Sequence, residues 1–176
     1  MKLYDAARCP YCARVRLVVA EKGIEPETVE VDLSNRPAWL LELNPPNGRV
    51  PVLDNGFVLP ESEVIMASLE ELIPAPALLP EPLTQRAEAR LLVHRFDQLL
   101  GDDYYAFRRG DDNDLAARLD ELPVGLSLFS DFAYVPWVIR ARDMLGVTLP
   151  DRIGSWLGAL AERPSVAAEV EVVRSL

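Results

Sequence analysis

The sequence predicts a two-domain protein, in which an α/β domain over residues 1–73 precedes an all-α domain over residues 85–176. Strand and helix patterns alternate in the first segment, whereas only helical patterns occur in the second. Between them, residues 74–84 (PAPALLPEPLT) contain four prolines and almost no charge, a composition typical of a stiff linker. These three observations indicate two regions that pack separately.

Strand and helix signals in the N-terminal segment follow the order β-α-β-α-β-β-α. Strands are predicted at residues 2–4, at 29–33 and in a hairpin over 50–59 whose turn is Asp54-Asn55-Gly56. Helices are predicted at residues 10–22, 37–43 and 62–73. Gly23 is suited to end the first helix, and Ser62 to cap the third. With a cysteine pair directly after the first strand, this order is that of a thioredoxin-like domain.

The C-terminal segment is predicted to contain helices only. Its first helix begins at Thr84 and carries one apolar stripe, formed by Leu91, Leu92, Phe96, Leu99 and Leu100. Residues 101–114 are acidic and polar with aromatic insertions, and they predict a break between helices. Further helices are predicted at residues 115–122, 131–145, 153–161 and 166–173.

Composition excludes several classes of function. Of the 176 residues 49% are apolar and 26% charged, as in an ordinary globular protein. The net charge of −10 disfavours nonspecific attraction to nucleic acid or to an anionic membrane. There is no apolar signal stretch at the start and no apolar run long enough to span a bilayer. Together with two cysteines at redox spacing, these features lead us to expect a cytoplasmic protein.

Cys9-Pro10-Tyr11-Cys12 is the motif richest in chemistry, and it contains the only two cysteines of the chain. Its position between a strand and a helix places Cys9 at a helix N-terminus, with Pro10 at the first helical position. There the free N–H groups and the helix dipole lower a thiol pKa from about 8.5 to roughly 3.5–7.5. Cys12, one turn later, is placed to attack a mixed disulfide formed on Cys9.

A purely structural role for the pair is the alternative. A disulfide between Cys9 and Cys12 would close a very short loop and stabilise little. A zinc site needs four ligands, and with His94 as the single histidine the chain has too few nitrogen and sulfur donors. We therefore predict no metal and expect thiol chemistry.

The motifs resemble those of the cytosolic glutathione transferase superfamily. CPYC followed by ARVRLVVAEKGI is similar to its cysteine-type members, the glutaredoxin-like and omega-like ones. The stretches NRPAWLLELNPPNGRVPVL and PESEVIMASLEEL resemble the segment that leads to its Val-Pro turn and its Glu-Ser motif. Near the C-terminus, SDFAYVPWV and ALAERPSV are also similar, so the resemblance covers nearly the whole chain.

The resemblance implies a set of contacts to glutathione as co-substrate, with no bound cofactor. Val50-Pro51 corresponds to the cis-proline turn, whose backbone groups pair with the cysteinyl part of glutathione. Ser62, at a helix N-terminus, would hold the γ-glutamyl carboxylate, and Glu61 the ammonium group. Arg36 stands where omega-like members place a cation for the glycyl carboxylate, although Arg49 is a rival. Each of these residues also has an alternative role without a ligand. Pro51 can be purely structural, Ser62 a helix cap and Arg36 a solvated surface charge.

The acceptor side of the site is less defined. Tyr11, Tyr104, Tyr105 and Phe107 are candidates to line an acceptor pocket beside Cys9. For Tyr104, Tyr105 and Phe107 the alternative is packing against the linker. The helical half is shorter than is usual in the superfamily, in the region that normally forms the acceptor site and part of a dimer contact. A homodimer therefore remains an open expectation. The superfamily places a capping Ser or Thr three residues before the position of Asp131, where this chain has Leu128. Ser127 or Ser130 would then have to cap the helix instead.

The sequence thus predicts a glutathione-dependent thiol transferase or reductase, in which the Cys9 thiolate attacks mixed disulfides or small electrophiles. One alternative is a non-catalytic interaction protein, because TQRAEARLLVHRFDQLL resembles the polymerase-associated stringent starvation protein A. Another is an enzyme that uses a different low-molecular-weight thiol.

Overall fold

A four-stranded sheet in the order β2-β1-β3-β4 organises the N-terminal part of the protein. The computed structural model describes all 176 residues. The strands are β1 (Lys2–Asp5), β2 (Glu27–Glu30), β3 (Val52–Asp54) and β4 (Val58–Pro60). β2 runs parallel to β1, whereas β3 is antiparallel to both β1 and β4. Together with the helices between them, the strands confirm the predicted thioredoxin-like element order.

Three helices accompany this sheet: α1 (Pro10–Glu21), α2 (Ala38–Leu43) and α3 (Ser62–Leu72). Cys9 has extended backbone angles directly before α1, and Pro10 occupies the first helical position, where a missing N–H costs nothing. The helix ends at Glu21, and Gly23 follows its C-cap with a φ of +64°, which is unfavourable for residues with a Cβ. α1 packs against α3 through buried apolar side chains, among them Val15 and Ile65.

A buried ion pair also joins α1 to α3. Lys22 Nζ lies 2.5 Å from Glu70 Oε2, and the Lys22 side chain has no exposed surface. The same ammonium donates to the Pro76 carbonyl at 2.6 Å. These contacts hold the C-terminal end of α1 against α3, and thereby position the N-termini that carry the candidate site.

The chain forms two compact units, residues 1–76 with Leu176, and Ala77–Ser175. The second unit is helical throughout. Its helices are α4 (Leu83–His94), α5 (Asp102–Arg109), α6 (Leu115–Asp120), α7 (Leu128–Asp143), α8 (Asp151–Ala161) and α9 (Pro164–Arg174). No helix has the length and apolar composition needed to cross a membrane.

The central helix of the second unit, α7, is buried over most of its length. Ser127 caps it, because its Oγ accepts a hydrogen bond from the Ser130 N–H at 3.2 Å. Asp131 Oδ1 accepts from the Gly125 N–H at 2.8 Å and ties the preceding loop to the first turn. Ser127 therefore takes the place of the capping residue that Leu128 cannot supply.

The predicted break over residues 101–114 is confirmed only for residues 110–114, and the rest of the segment is helical. A π-helical turn over Asp97–Gly101 leads directly into α5, which ends before Gly110. The acidic residues lie in the first turn of α5 and its arginines in the last. Both groups of charges interact favourably with the helix dipole and so stabilise the helix. Tyr104 is buried and anchors the helix, whereas high polarity had indicated a loop.

The predicted apolar stripe on α4 is also partly wrong. Leu91 is 43% exposed, and the buried face consists of Ala89, Val93, Phe96 and Leu100. Two possible apolar faces of a helix can differ by a shift of one residue in sequence. Which of them is buried in α4 is decided by its packing against α7. Leu91, Leu92 and Leu99 instead line an open groove of about 610 Å³ in this unit.

Candidate functional site

The candidate site begins at the N-terminus of α1, where the two cysteines are held as free thiols. Cys9 is 9% exposed and Cys12 has no exposed surface. Cys9 Sγ lies 3.8 Å from the Val50 carbonyl oxygen, which accepts the thiol hydrogen. Both cysteines belong to a buried apolar cluster that includes Ala6, Val31 and Leu40, so their environment is largely apolar.

The two thiols differ sharply in acidity. A hydrogen bond from the Cys12 thiol lowers the pKa of Cys9 to about 7, assisted by the backbone N–H groups of Cys12 and Tyr11. Burial raises the pKa of Cys12, and the neighbouring Cys9 sulfur raises it further. Cys9 is therefore the thiol of the pair that ionises near neutral pH, and it is also the one that retains some access to solvent.

Alkylation of Cys9 by iodoacetamide is expected to follow a titration with a midpoint near pH 7. The rate rises with pH because only the thiolate attacks. Cys12→Ala removes the S–H donor and is expected to move the midpoint to higher pH. The rate is measured across pH by mass spectrometry. An identical midpoint in the two proteins would show that Cys12 does not stabilise the thiolate.

Val50 and Pro51 lie beside the cysteines. The peptide bond between them is cis, as the resemblance implies. Val50 is 8% exposed, and its N–H donates to no group of the protein. A nearly buried backbone donor without a partner is unusual in a folded protein. It is consistent with a ligand that supplies the acceptor.

Glu61 and Ser62 stand at the N-terminus of α3, but not with the roles of a simple helix cap. Glu61 precedes the helix and is the one non-glycine residue with positive φ, at +70°. Ser62 is the first helical residue, and its Oγ does not cap the helix. Instead it accepts a hydrogen bond from Arg14 Nη1 at 3.3 Å. The expectation that Ser62 caps α3 is therefore wrong.

The strained backbone at Glu61 permits a test. Glu61→Gly is expected to stabilise the fold by about 1 kcal/mol, because glycine adopts positive φ without steric cost. The same change removes the carboxylate proposed to bind the ligand ammonium. Glu63→Gly, two residues later in helical backbone, is the matched control and is expected to destabilise by about 1 kcal/mol. Thermal unfolding measures both, and destabilisation by Glu61→Gly would show that its conformation is unstrained.

Arg14 is the site residue that sequence reasoning missed. Its side chain is 3% exposed, which is rare for arginine. Besides donating to Ser62, the guanidinium lies 5.1 Å from the centre of the Tyr11 ring. In the sequence Arg14 lies close to two other arginines, Arg8 and Arg16. No sequence pattern shows which of the three is buried.

Arg36 and Arg49 are both exposed. Arg36 lines a cavity of about 240 Å³ together with residues of α2 and of the following turn. The backbone carbonyl of Arg49 accepts from Asn44 Nδ2 at 2.9 Å, which orders this turn. Of the two rivals, Arg36 is thus the one with a defined cavity beside it.

The aromatic candidates fall in different units. Tyr11 lies in the first unit under the Arg14 guanidinium. Tyr104, Tyr105 and Phe107 lie on α5 in the second unit, and Tyr104 is buried with its ring edge-on to Tyr105 at 5.3 Å. Burial raises the pKa of Tyr104. Their role in an acceptor pocket stays a prediction.

Comparison with known proteins identifies the family. Residues 8–72 match the family model described as glutathione S-transferase, N-terminal domain. A solved structure, rice GST1 in complex with glutathione, superposes with a TM-score of 0.79 at 27% identity, and covers 99% of this chain and 94% of the rice chain. Residues 8–72 belong to the glutathione S-transferase N-terminal domain family, and the whole chain has the fold of a glutathione S-transferase.

Two curated relatives are similar to the chain over different shares of its length. Glutathione S-transferase omega-1 of Mus musculus is 28% identical over 189 residues, 93% of this chain and 78% of the mouse protein. A stringent starvation protein A homolog of Haemophilus influenzae is 46% identical over 99 residues, 56% of this chain and 46% of that protein. The chain spans about half the length of several curated relatives that it matches.

Proposed function

We propose that this protein is a glutathione-dependent thiol transferase, which reduces mixed disulfides through the Cys9 thiolate. The observation that carries the proposal is the Cys9 sulfur at the N-terminus of α1, with its pKa lowered to about 7. At neutral pH about half of such a thiol is ionised, and the thiolate is the nucleophile. The match to the glutathione S-transferase N-terminal domain and the glutathione-bound rice structure support glutathione as the thiol co-substrate.

In the proposed reaction, the Cys9 thiolate attacks the glutathione sulfur of a mixed disulfide R–S–SG. A bond forms between Cys9 and glutathione, and R–S⁻ leaves and takes up a proton. A second glutathione thiolate then attacks the glutathione sulfur of this intermediate, releases oxidised glutathione and restores the Cys9 thiolate. Resolution by Cys12 is slower, since Cys12 is buried and its raised pKa keeps it protonated.

The residues around Cys9 are suited to hold the glutathione moiety. The unpartnered Val50 N–H would pair with the cysteinyl backbone, and Ser62 with the N-terminus of α3 would receive the γ-glutamyl carboxylate. Glu61 would accept the ligand ammonium. Arg36 would pair with the glycyl carboxylate from its exposed cavity.

A coupled assay tests this proposal. The purified protein is mixed with glutathione and a small glutathionylated disulfide, and the formation of oxidised glutathione is followed with glutathione reductase and NADPH. We expect turnover well above the spontaneous exchange rate. If the protein turned over with another low-molecular-weight thiol but not with glutathione, that other thiol would be its co-substrate. Electrophilic substrates are tested in the same way by formation of a glutathione thioether.

A non-catalytic interaction protein is the second candidate. The match at 46% identity to a stringent starvation protein A homolog favours it. The two candidates separate on a glutathione-affinity column. Retention and elution by free glutathione support the enzyme, whereas passage through the column with an unreactive Cys9 supports the interaction protein. The proposed chemistry needs reduced glutathione, so we propose that the protein acts in the cytoplasm. We also propose a homodimer, and analytical ultracentrifugation tests it.

A further inference from the structure

Arg14 places a permanent positive charge inside the first unit. Its side chain is 3% exposed, and burial of a charged group is costly unless the charge interacts with its surroundings. Two such interactions are defined: Nη1 donates to Ser62 Oγ at 3.3 Å, and the guanidinium carbon lies 5.1 Å from the centre of the Tyr11 ring. The cation therefore connects α1, which carries Cys9, to the first residue of α3.

The direction of this hydrogen bond decides what Ser62 can do. A guanidinium has donors only, so the Ser62 oxygen must accept. The hydroxyl hydrogen then points away from Arg14, and no other side-chain hydrogen bond of Ser62 is formed within the protein. Ser62 thus presents an O–H donor at the N-terminus of α3, next to a buried positive charge, a combination that attracts an anion.

We propose that Arg14 is a positioning residue that orients the Ser62 hydroxyl toward the γ-glutamyl carboxylate and makes the site selective for γ-glutamyl thiols. This inference rests on the proposed function, since it assumes glutathione as ligand. The Tyr11 ring holds the guanidinium from its other face through a cation–π contact. Because Arg14 acts through Ser62, which would hold the carboxylate end of the ligand, its effect falls on binding.

The test compares two thiols that differ only in the γ-glutamyl group. Affinities for glutathione and for cysteinylglycine are measured by calorimetry with wild type, Arg14→Met, Arg14→Lys, Ser62→Ala and the Arg14→Met/Ser62→Ala double variant. Arg14→Met is expected to weaken glutathione binding roughly tenfold and to leave cysteinylglycine binding unchanged. Arg14→Lys, which retains a donor and a charge, is expected to restore part of the loss.

The double variant separates positioning from general stabilisation. If Arg14 acts through Ser62, the double variant binds glutathione no more weakly than Ser62→Ala alone, and in the transferase assay KM rises with little change in kcat. Additive losses, or equal weakening for both thiols, would overturn the inference. If Arg14→Met fails to fold, Arg14→Lys with and without Ser62→Ala gives the same comparison. A wild-type protein that binds neither thiol contradicts the proposed function instead.

Discussion

Replacement of Cys9 by serine is expected to lower glutathione-dependent disulfide reduction by about a thousandfold or more. A serine hydroxyl is not ionised at neutral pH, and it cannot form the mixed disulfide on which the proposed exchange depends. The fold should remain intact, because the substitution changes one atom at a position that is 9% exposed. The measurement is the initial rate in the coupled assay, with thermal unfolding as the check on folding.

Cys12→Ser is the matched control for this prediction. It changes the same atom one helical turn later, in a side chain with no exposed surface. We expect most of the activity to remain, since a second glutathione resolves the intermediate and a hydroxyl can still donate toward Cys9. If Cys9→Ser retained full activity, the proposed mechanism would be excluded. If Cys12→Ser alone were inactive, the resolving thiol would be Cys12.

Replacement of Lys22 by methionine is expected to destabilise the protein by about 3–5 kcal/mol. Methionine retains the length and apolar bulk of the side chain, but the Glu70 carboxylate then loses the ammonium that lies 2.5 Å from it. The Pro76 carbonyl loses its donor at 2.6 Å as well. Because both partners are buried, water cannot compensate for these losses. Chemical denaturation monitored by circular dichroism measures the change.

Lys2→Met provides the matched control. Lys2 Nζ pairs with Glu27 at 3.1 Å, but both side chains are exposed, so the variant is expected to change stability little. The double variant Lys22→Met/Glu70→Leu removes both charges of the pair and should recover much of the loss, since neither Lys22 nor Glu70 then remains as a buried charge. Equal effects of Lys22→Met and Lys2→Met would show that burial of the pair does not matter for stability.

Much of the first unit was predictable because its signals are local. Pro10 at a helix start, Gly23 at a helix end and Asp54-Asn55-Gly56 at a hairpin each act through their own backbone preferences. The observed strands and helices lie within a few residues of the predicted ones. The helical unit was less predictable, since the α5 segment is polar in sequence and is held by the burial of Tyr104.

The candidate site divides in the same way. The position of Cys9 at the start of α1 follows from sequence, but the cause of its lowered pKa does not. The helix N-terminus contributes through backbone N–H groups, yet the hydrogen bond from Cys12 is the larger effect, and it depends on both sulfurs being buried together. Likewise, Ser62 is recognisable at a helix start, whereas its bond to Arg14 joins residues that lie 48 positions apart.

By itself, the sequence determined the order of strands and helices in the first unit and the location of the thiol pair, because backbone preferences, capping residues and hydrophobic periodicity act over a few neighbouring residues. Only the tertiary structure decided which arginine is buried, which face of α4 is covered and which thiol carries the charge. Those outcomes depend on desolvation and on contacts between distant segments, and neither can be read from residues that are adjacent in the chain.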